Sequence, residues 1–338
     1  MSKMLDEIRE QPAALERSLR SGLRAAKRLS RAIAIRRPKL IVLAARGTSD
    51  NAAQFARYLL EITTGIPVSL AAPSIYTLYG AKVRLTDAMV VAISQSGEST
   101  DTNLVLERAR AQGALTVGIT NEPRSDLAHL AEHVFLVRAG RERSVAATKT
   151  YTGQLLMSYL LAVALGARIR LDDLHRLPDW AESALSMESE IVACAGRYRF
   201  MERAIVVGRG LNYANAFEFA LKLMETCYVV ADRFSTADFL HGPIAMIERS
   251  FPVFLFAPPG VTRAGTHDLL SRLQSLKAET LVIGSEKAAG IRVPTRLKEL
   301  FTPIPYIVPA QLFAAHLATE KGLDPDRPRT LSKVTRTL

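Results

Sequence analysis

The chain repeats itself. The apolar run "LIVLAARG" (40–47) ends in Arg46-Gly47, and 163 positions later "AIVVGRG" (204–210) ends in Arg209-Gly210. Gly97, after "VVAIS", and Gly260, after "VFLFAPP", stand at that same offset, and "LTVGIT" matches "TLVIGS" at an offset of 164. Three strand ends in one register make the chain two copies of one unit. Short continuous apolar runs are expected of strands buried on both faces, and here they alternate with segments of helical periodicity. The expected fold class is therefore α/β, with a parallel sheet flanked by helices in each copy. A length of 338 residues accommodates two such domains.

The boundaries follow from the same pattern. Residues 1–39, with Leu5, Ile8, Leu15, Leu19 and Leu23 at helical spacing, predict an N-terminal helical segment. Residues 40–170 make the first domain, 171–200 a helical connection, 201–325 the second domain, and 326–338 a docked C-terminal tail.

Several function classes are disfavoured early. Cys194 and Cys227 are too few for a disulfide framework and have no metal-ligand spacing. The N-terminus has no signal-type apolar core, and no run approaches the roughly 18 apolar residues of a membrane span. No membrane partner and a reducing, cytoplasmic setting are expected. The net charge is +11, from 44 Lys and Arg against 33 Asp and Glu. The basic residues are scattered, without aromatic interleaving, and the cluster from Arg17 to Lys39 reads as the solvated face of a helix. No nucleic-acid partner is expected; a positive field suits small anionic substrates.

The stretch "AISQSGESTDT" (92–102) packs Ser94, Ser96, Ser99, Thr100 and Thr102 into one turn after a buried strand. Such a turn offers backbone N–H groups and the positive end of a helix dipole, an anion site to which hydroxyls add neutral donors. One of Ser99, Thr100 and Asp101 is expected to cap the following helix. Capping leaves Ser94 and Ser96 unexplained. The second copy carries "APPG" where the first has "SQSG", so the fold needs the strand and the glycine, and the hydroxyls point to a ligand. Thr48 and Ser49, at the end of a sister strand, can close the same pocket. The stretch is not a P-loop, since "GxxxxGK" is missing.

In "EFALKLMETC" the residues Glu218, Lys222 and Glu225 share one helix face at i, i+4 and i+7. Phe217, Leu221, Met224 and Tyr228 form the apolar stripe. On spacing alone the charged row is either an exposed ion-pair ladder or the wall of a pocket that tunes pKa. His241, before Gly242-Pro243, lies on a fixed turn and suits proton transfer near neutral pH. Lys333, flanked by Leu331 and Val334 in "LSKVTRTL", is either solvated or an ammonium held near a carbonyl substrate.

Taken together, "RGTSDNAAQFARYLLE", "SQSGESTDT", "VAATKTYTGQL", "GRGLNYANAFEFALKLME", "HGP" and "LSKVTRTL" resemble the sugar isomerase (SIS) domain family, and within it the isomerase half of the glutamine–fructose-6-phosphate aminotransferases. The resemblance implies two tandem SIS domains, each a three-layer sandwich. It implies a sugar-phosphate site at Thr48, Ser49, Ser94, Gln95, Ser96 and Thr102. It further implies Glu225 as the carboxylate moving a proton between C1 and C2, with Lys222 and Glu218 beside it. His241 would be the ring-opening histidine lent by the partner subunit of a homodimer, and Lys333 the lysine at the open-chain carbonyl. Neither cofactor nor metal is implied, since an imine supplies its own electron sink.

Departures from the pattern matter. "ARGTS" stands where the family has "CGTS", and "TADFLHGP" differs from its glutamate-containing loop. A chain beginning "MSKMLDEIREQPAALERSL" resembles the start of the isomerase half, without the glutaminase domain. The resemblance therefore leans to the stand-alone, SIS-type glucosamine-6-phosphate deaminases, which release ammonia and fructose 6-phosphate. Galactosamine 6-phosphate, fructosamine 6-phosphate and a non-catalytic sugar-phosphate sensor are the competing expectations.

Overall fold

The computed structural model describes residues 2–287, 289–331 and Lys333. The chain divides into two compact units. One comprises Ala13–Glu142 and Lys149–Arg176 with Lys333; the other comprises residues 2–12, Arg143–Thr148, 177–287 and 289–331.

The chain opens with helices α1 (Lys3–Arg9) and α2 (Gln11–Arg36). Strands β1 (Leu40–Ala44), β2 (Val68–Leu70), β3 (Ala88–Ile93), β4 (Leu115–Thr120) and β5 (His133–Leu136) then form a parallel sheet in the order β2-β1-β3-β4-β5. Between and after them come α3 (Thr48–Thr64), α4 (Ser74–Thr77), α5 (Thr100–Ala111), α6 (Asp126–Leu130) and α7 (Lys149–Ala164). Every residue of β3 and β4 is buried, which is why these strands read as unbroken apolar runs. Helix α7 has no polar face, and nearly all of it is buried.

Helices α8 (Leu171–His175), α9 (Leu177–Leu185) and α10 (Glu188–Ala195) occupy the stretch read as a helical connection. The second sheet follows: β6 (Arg203–Val207), β7 (Val230–Phe234), β8 (Pro252–Ala257), β9 (Glu279–Gly284) and β10 (Ile291–Arg292). Its order is β10-β9-β8-β6-β7, all parallel, which from the other edge is the order of the first sheet. Helices α11 (Tyr213–Cys227), α12 (Thr236–Leu240), α13 (Arg263–Ser275) and α14 (Pro303–Glu320) complete the unit. Its core includes Phe219, Phe254 and Phe313, with ring centroids 5.1–5.8 Å apart.

This strand order has one consequence for ligands. Connections leave β1 and β3 in opposite directions, so a crevice opens between the carboxyl ends of these two strands. The loops bordering it are "RGTS" after β1 and "SQSGES" after β3. The counterpart in the second sheet lies between β6 and β8.

Candidate functional site

In the first unit the hydroxyl-rich turn holds itself open. Ser94 Oγ accepts the Gly97 N–H at 3.1 Å, and Ser96 Oγ accepts the Glu98 N–H at 3.3 Å. Gly97 has φ 70°, and a Cβ there would lie 2.1 Å from Ser125 Oγ, so no other residue fits. The Gln95 carbonyl accepts from Asn121 N–H at 3.1 Å and from Thr120 Oγ1 at 3.3 Å.

The expected side-chain cap on α5 is not found. Ser99 occupies the N-cap position, but its hydroxyl pairs with Thr102 Oγ1 at 3.0 Å and caps no backbone group. Asp101 is drawn aside as well: its Oδ2 accepts from Arg46 Nε at 3.1 Å and Nη2 at 2.7 Å. Helix α3 likewise begins after Gly47, which has no side chain to cap with. Both helices that enter the crevice thus leave the work of capping to something other than their N-cap side chains. Arg46, the departure from the family's cysteine, is the tie between the two loops.

The remaining expected phosphate ligands are set differently. Thr48 is half-buried as the first residue of α3. Ser49 is buried, with its Oγ accepting from Gln154 Nε2 at 2.9 Å. Thr102 is fully buried.

A cleft of about 620 Å³ takes in Gln95 and Ser96 from the turn, together with Glu98, Arg138, Glu142 and Lys333. Lys333 therefore belongs with the hydroxyl turn. Its Nζ lies 3.2 Å from Glu142 Oε2. Glu142 is buried and also accepts the Thr150 N–H at 3.1 Å and the Thr150 hydroxyl at 2.5 Å. Sequence reasoning missed Glu142; a glutamate between two arginines carries no sign that Thr150, eight residues on, will hold it. The rest of the expected tail lies outside the described residues.

In the second unit, α11 turns its charges inward. Lys222 and Glu218 have no exposed side-chain surface, whereas Glu225 retains 20%. Lys222 Nζ lies 3.3 Å from Glu218 Oε1 and 2.5 Å from Glu225 Oε2. Burial acts to lower the lysine's pKa, but the two carboxylates outweigh it and hold the ammonium well above its ordinary range. The spacing alone left the row open between surface and pocket; it is interior. The apolar stripe is the less buried side: Phe217, Leu221 and Tyr228 are partly exposed, and Met224 is exposed.

His241 follows α12 as its C-cap, with its N–H donating to the Asp238 carbonyl at 3.1 Å. Its side chain is exposed and makes no hydrogen bond or ion pair among the described residues.

Two parallel units of one strand order, one with a hydroxyl-rich turn after its third strand, define the class, and comparison with known proteins agrees. The chain belongs to the SIS domain family, whose model matches residues 34–164 and 199–319. It is homologous to the isomerase portion of the glutamine–fructose-6-phosphate aminotransferases. With that of Methanothermobacter thermautotrophicus it shares 34% identity over 338 residues, covering 98% of this chain and 56% of that one. The chain thus spans about half the length of the curated relatives it matches. The C-terminal domain of the glucosamine-fructose-6-phosphate aminotransferase from Francisella tularensis matches at 27% identity and a TM-score of 0.85, over 97% of this chain and 98% of that one. The glucosamine-6-phosphate deaminase from Thermotoga maritima shares the fold, at 21% identity and a TM-score of 0.80, over 99% of this chain and all of that one. Among the described residues no helix is long and apolar enough to cross a membrane.

Proposed function

We propose that the chain is an amino-sugar-phosphate isomerase and deaminase that converts glucosamine 6-phosphate to fructose 6-phosphate and ammonia. The observation that carries this is the row on α11. Of its three charges only Glu225 keeps access to solvent, and Lys222 clamps it at 2.5 Å. A carboxylate so held, on a helix that otherwise buries its charges, is suited to moving a proton. The name of the Methanothermobacter relative, an isomerizing aminotransferase acting on fructose 6-phosphate, supports the same chemistry.

In this reading Ser94, Gln95, Ser96, Thr48, Ser49 and Thr102 serve the phosphate, through hydroxyls, backbone N–H groups and helix dipoles. His241 transfers the proton that opens the pyranose ring. It acts from the partner subunit of a homodimer, for which an exposed and uncommitted imidazole is suited. Glu225 takes the C2 proton of the open aldehyde, and the electron pair passes to the carbonyl oxygen, giving an enolamine. Return of the proton to C1 leaves an imine at C2. Water adds there, the C–N bond breaks, and ammonia departs. Lys333 polarises the carbonyl, and Glu218 and Lys222 keep Glu225 in place.

The test is ammonia release with fructose 6-phosphate assayed in parallel, from glucosamine 6-phosphate and from galactosamine 6-phosphate. Stoichiometric products from the first sugar are expected, falling by about 10² to 10⁴-fold in Glu225→Gln, the range of general acid–base catalysis. Undiminished turnover in that variant removes Glu225 from the mechanism. Release from the galacto sugar alone moves the substrate, and binding of both sugars without turnover favours a sensor.

A further inference from the structure

A cleft of about 450 Å³ lies wholly within the second unit, at the carboxyl end of edge strand β10. Ser186 and Glu190 reach it from the junction of α9 and α10. Ser285, just past β9, lines it too, with Arg292, Thr295 and Arg296 from β10 and the segment after it. That segment is fixed: the Val293 N–H donates to the Gly284 carbonyl at 2.8 Å, and the Thr295 N–H to the Val293 carbonyl at 2.8 Å. Burial alternates along it, with Val293 and Thr295 buried and Arg292, Pro294 and Arg296 exposed, so both arginines belong to its outer side. None of the residues assigned to the sugar phosphate or to proton transfer lines this cleft.

Two features of the lining are left unmet by the chain. Thr295 is only 6% exposed, yet its Oγ1 meets no hydrogen-bond partner, a state that buried hydroxyls rarely keep. Glu190, Arg292 and Arg296 share one cleft, yet among the described residues no side-chain hydrogen bond or ion pair engages any of them. Nearby charges behave otherwise. Two residues earlier on α10, Glu188 Oε1 lies 2.6 Å from Arg9 Nη2 and 3.0 Å from His316 Nε2. Glu286, beside Ser285, meets both Arg263 and His267. The cleft thus holds one carboxylate and two guanidinium groups apart, with a buried hydroxyl among them.

We infer that this cleft binds an acidic α-amino acid. Guanidinium forks match carboxylates two oxygens at a time, and two forks suit a ligand with two carboxylates. Glu190 suits the ammonium, and the Thr295 hydroxyl donates to a carboxylate oxygen that reaches inward. The charges agree: the cleft carries one positive charge in excess, and an acidic amino acid carries one negative charge at neutral pH. A diacid without the amine leaves Glu190 facing a like charge, and a neutral amino acid leaves one guanidinium unmatched.

The probe is L-glutamate, titrated by calorimetry into the full chain at low ionic strength, with glutarate, the same diacid without the amine, in parallel. One site per chain is expected, holding glutamate about tenfold more tightly than glutarate, the worth of one charged hydrogen bond. That preference should vanish in Glu190→Gln. The double variant Arg292→Ala/Arg296→Ala, at two exposed positions, should lower glutamate affinity about a hundredfold with an unchanged circular dichroism spectrum, roughly tenfold for each group removed. Thr295→Val, close in shape, should weaken binding without lowering the urea midpoint, since it deletes a hydroxyl that the chain leaves unpartnered. Glutamate should bind Ser96→Ala and Glu225→Gln as it binds the parent, which separates this result from the fate of the sugar-phosphate reading. Failure of glutamate to bind, glutarate held as tightly as glutamate, or affinity indifferent to the arginine pair overturns the assignment. Displacement of glutamate by glucosamine 6-phosphate also overturns it, in favour of a site for the sugar phosphate.

Discussion

Glu299 stands against Gly260. A Cβ on that glycine would lie 2.3 Å from Glu299 Oε2, and the same carboxylate accepts the Val261 N–H at 2.8 Å and the Thr262 hydroxyl at 2.7 Å. Gly260 ends the turn after β8, the counterpart of Gly97 after β3. The second copy therefore places an internal carboxylate at this turn, where the first copy carries hydroxyls.

Glu299→Ala removes the acceptor for two donors at once. A stability loss of about 1–3 kcal/mol is expected, the range for stranding hydrogen-bonding groups. Urea unfolding measures it, and added inorganic phosphate should recover part of the loss. A variant as stable as the parent would show that water serves those donors equally well.

Gly97→Ala tests the turn of the first copy. The new methyl meets Ser125 Oγ at 2.1 Å and the backbone is held at φ 70°. Strain of roughly 1–3 kcal/mol is expected, together with loss of sugar-phosphate binding in a calorimetric titration. Retained affinity would mean that the turn reshapes freely.

Arg46→Cys restores the family's residue and cuts the tie to Asp101. The carboxylate, 3% exposed at its side chain, then loses its cation. We expect the KM for the sugar phosphate to rise about tenfold, as for one charged hydrogen bond, with kcat little changed. An unaltered KM would leave Arg46 a surface residue with no part in loop alignment.

Lys222→Met leaves Glu218 and Glu225 facing each other in the interior. Breaking such a buried arrangement costs about 3–5 kcal/mol. The wild-type pH dependence has a definite sign. The folded pKa of Lys222 is raised above its ordinary 10.5, so its stabilisation is fully present below the unfolded value and disappears as pH rises through the folded one. The stability difference between wild type and Lys222→Met should therefore be flat from pH 7 to about 10 on this account and shrink only beyond. A difference that vanishes near neutrality would contradict the buried pairing.

How far these features could be read from the sequence depends on burial. Strands β1, β3, β4, β6, β8 and β9 lie inside their sheets and are covered on both faces, so their runs are apolar and the repeat is visible in them. Strands β5, β7 and β10 went unread: they lie at sheet edges, and β7 is "VADRF", with four of its five residues exposed or partly so. The hydroxyl turn was legible because its residues are neighbours in sequence. The charged row was legible as a row, but its inward orientation was not, since 3.6-residue periodicity says which residues share a face and not which face is covered. The setting of Glu142 depends on residues brought together from the segment after β5 and the start of α7, and no local pattern announces it.

The plug at Glu299 also makes the two halves unequal before any ligand arrives. One turn has its Val261 N–H and Thr262 hydroxyl taken by a carboxylate from another element; the other has its Gly97 and Glu98 N–H groups taken by the neutral hydroxyls of Ser94 and Ser96. A carboxylate that belongs to the chain is present at every phosphate concentration, so the second turn does not change with ligand, whereas any ligand held at the first stabilises the native chain by mass action.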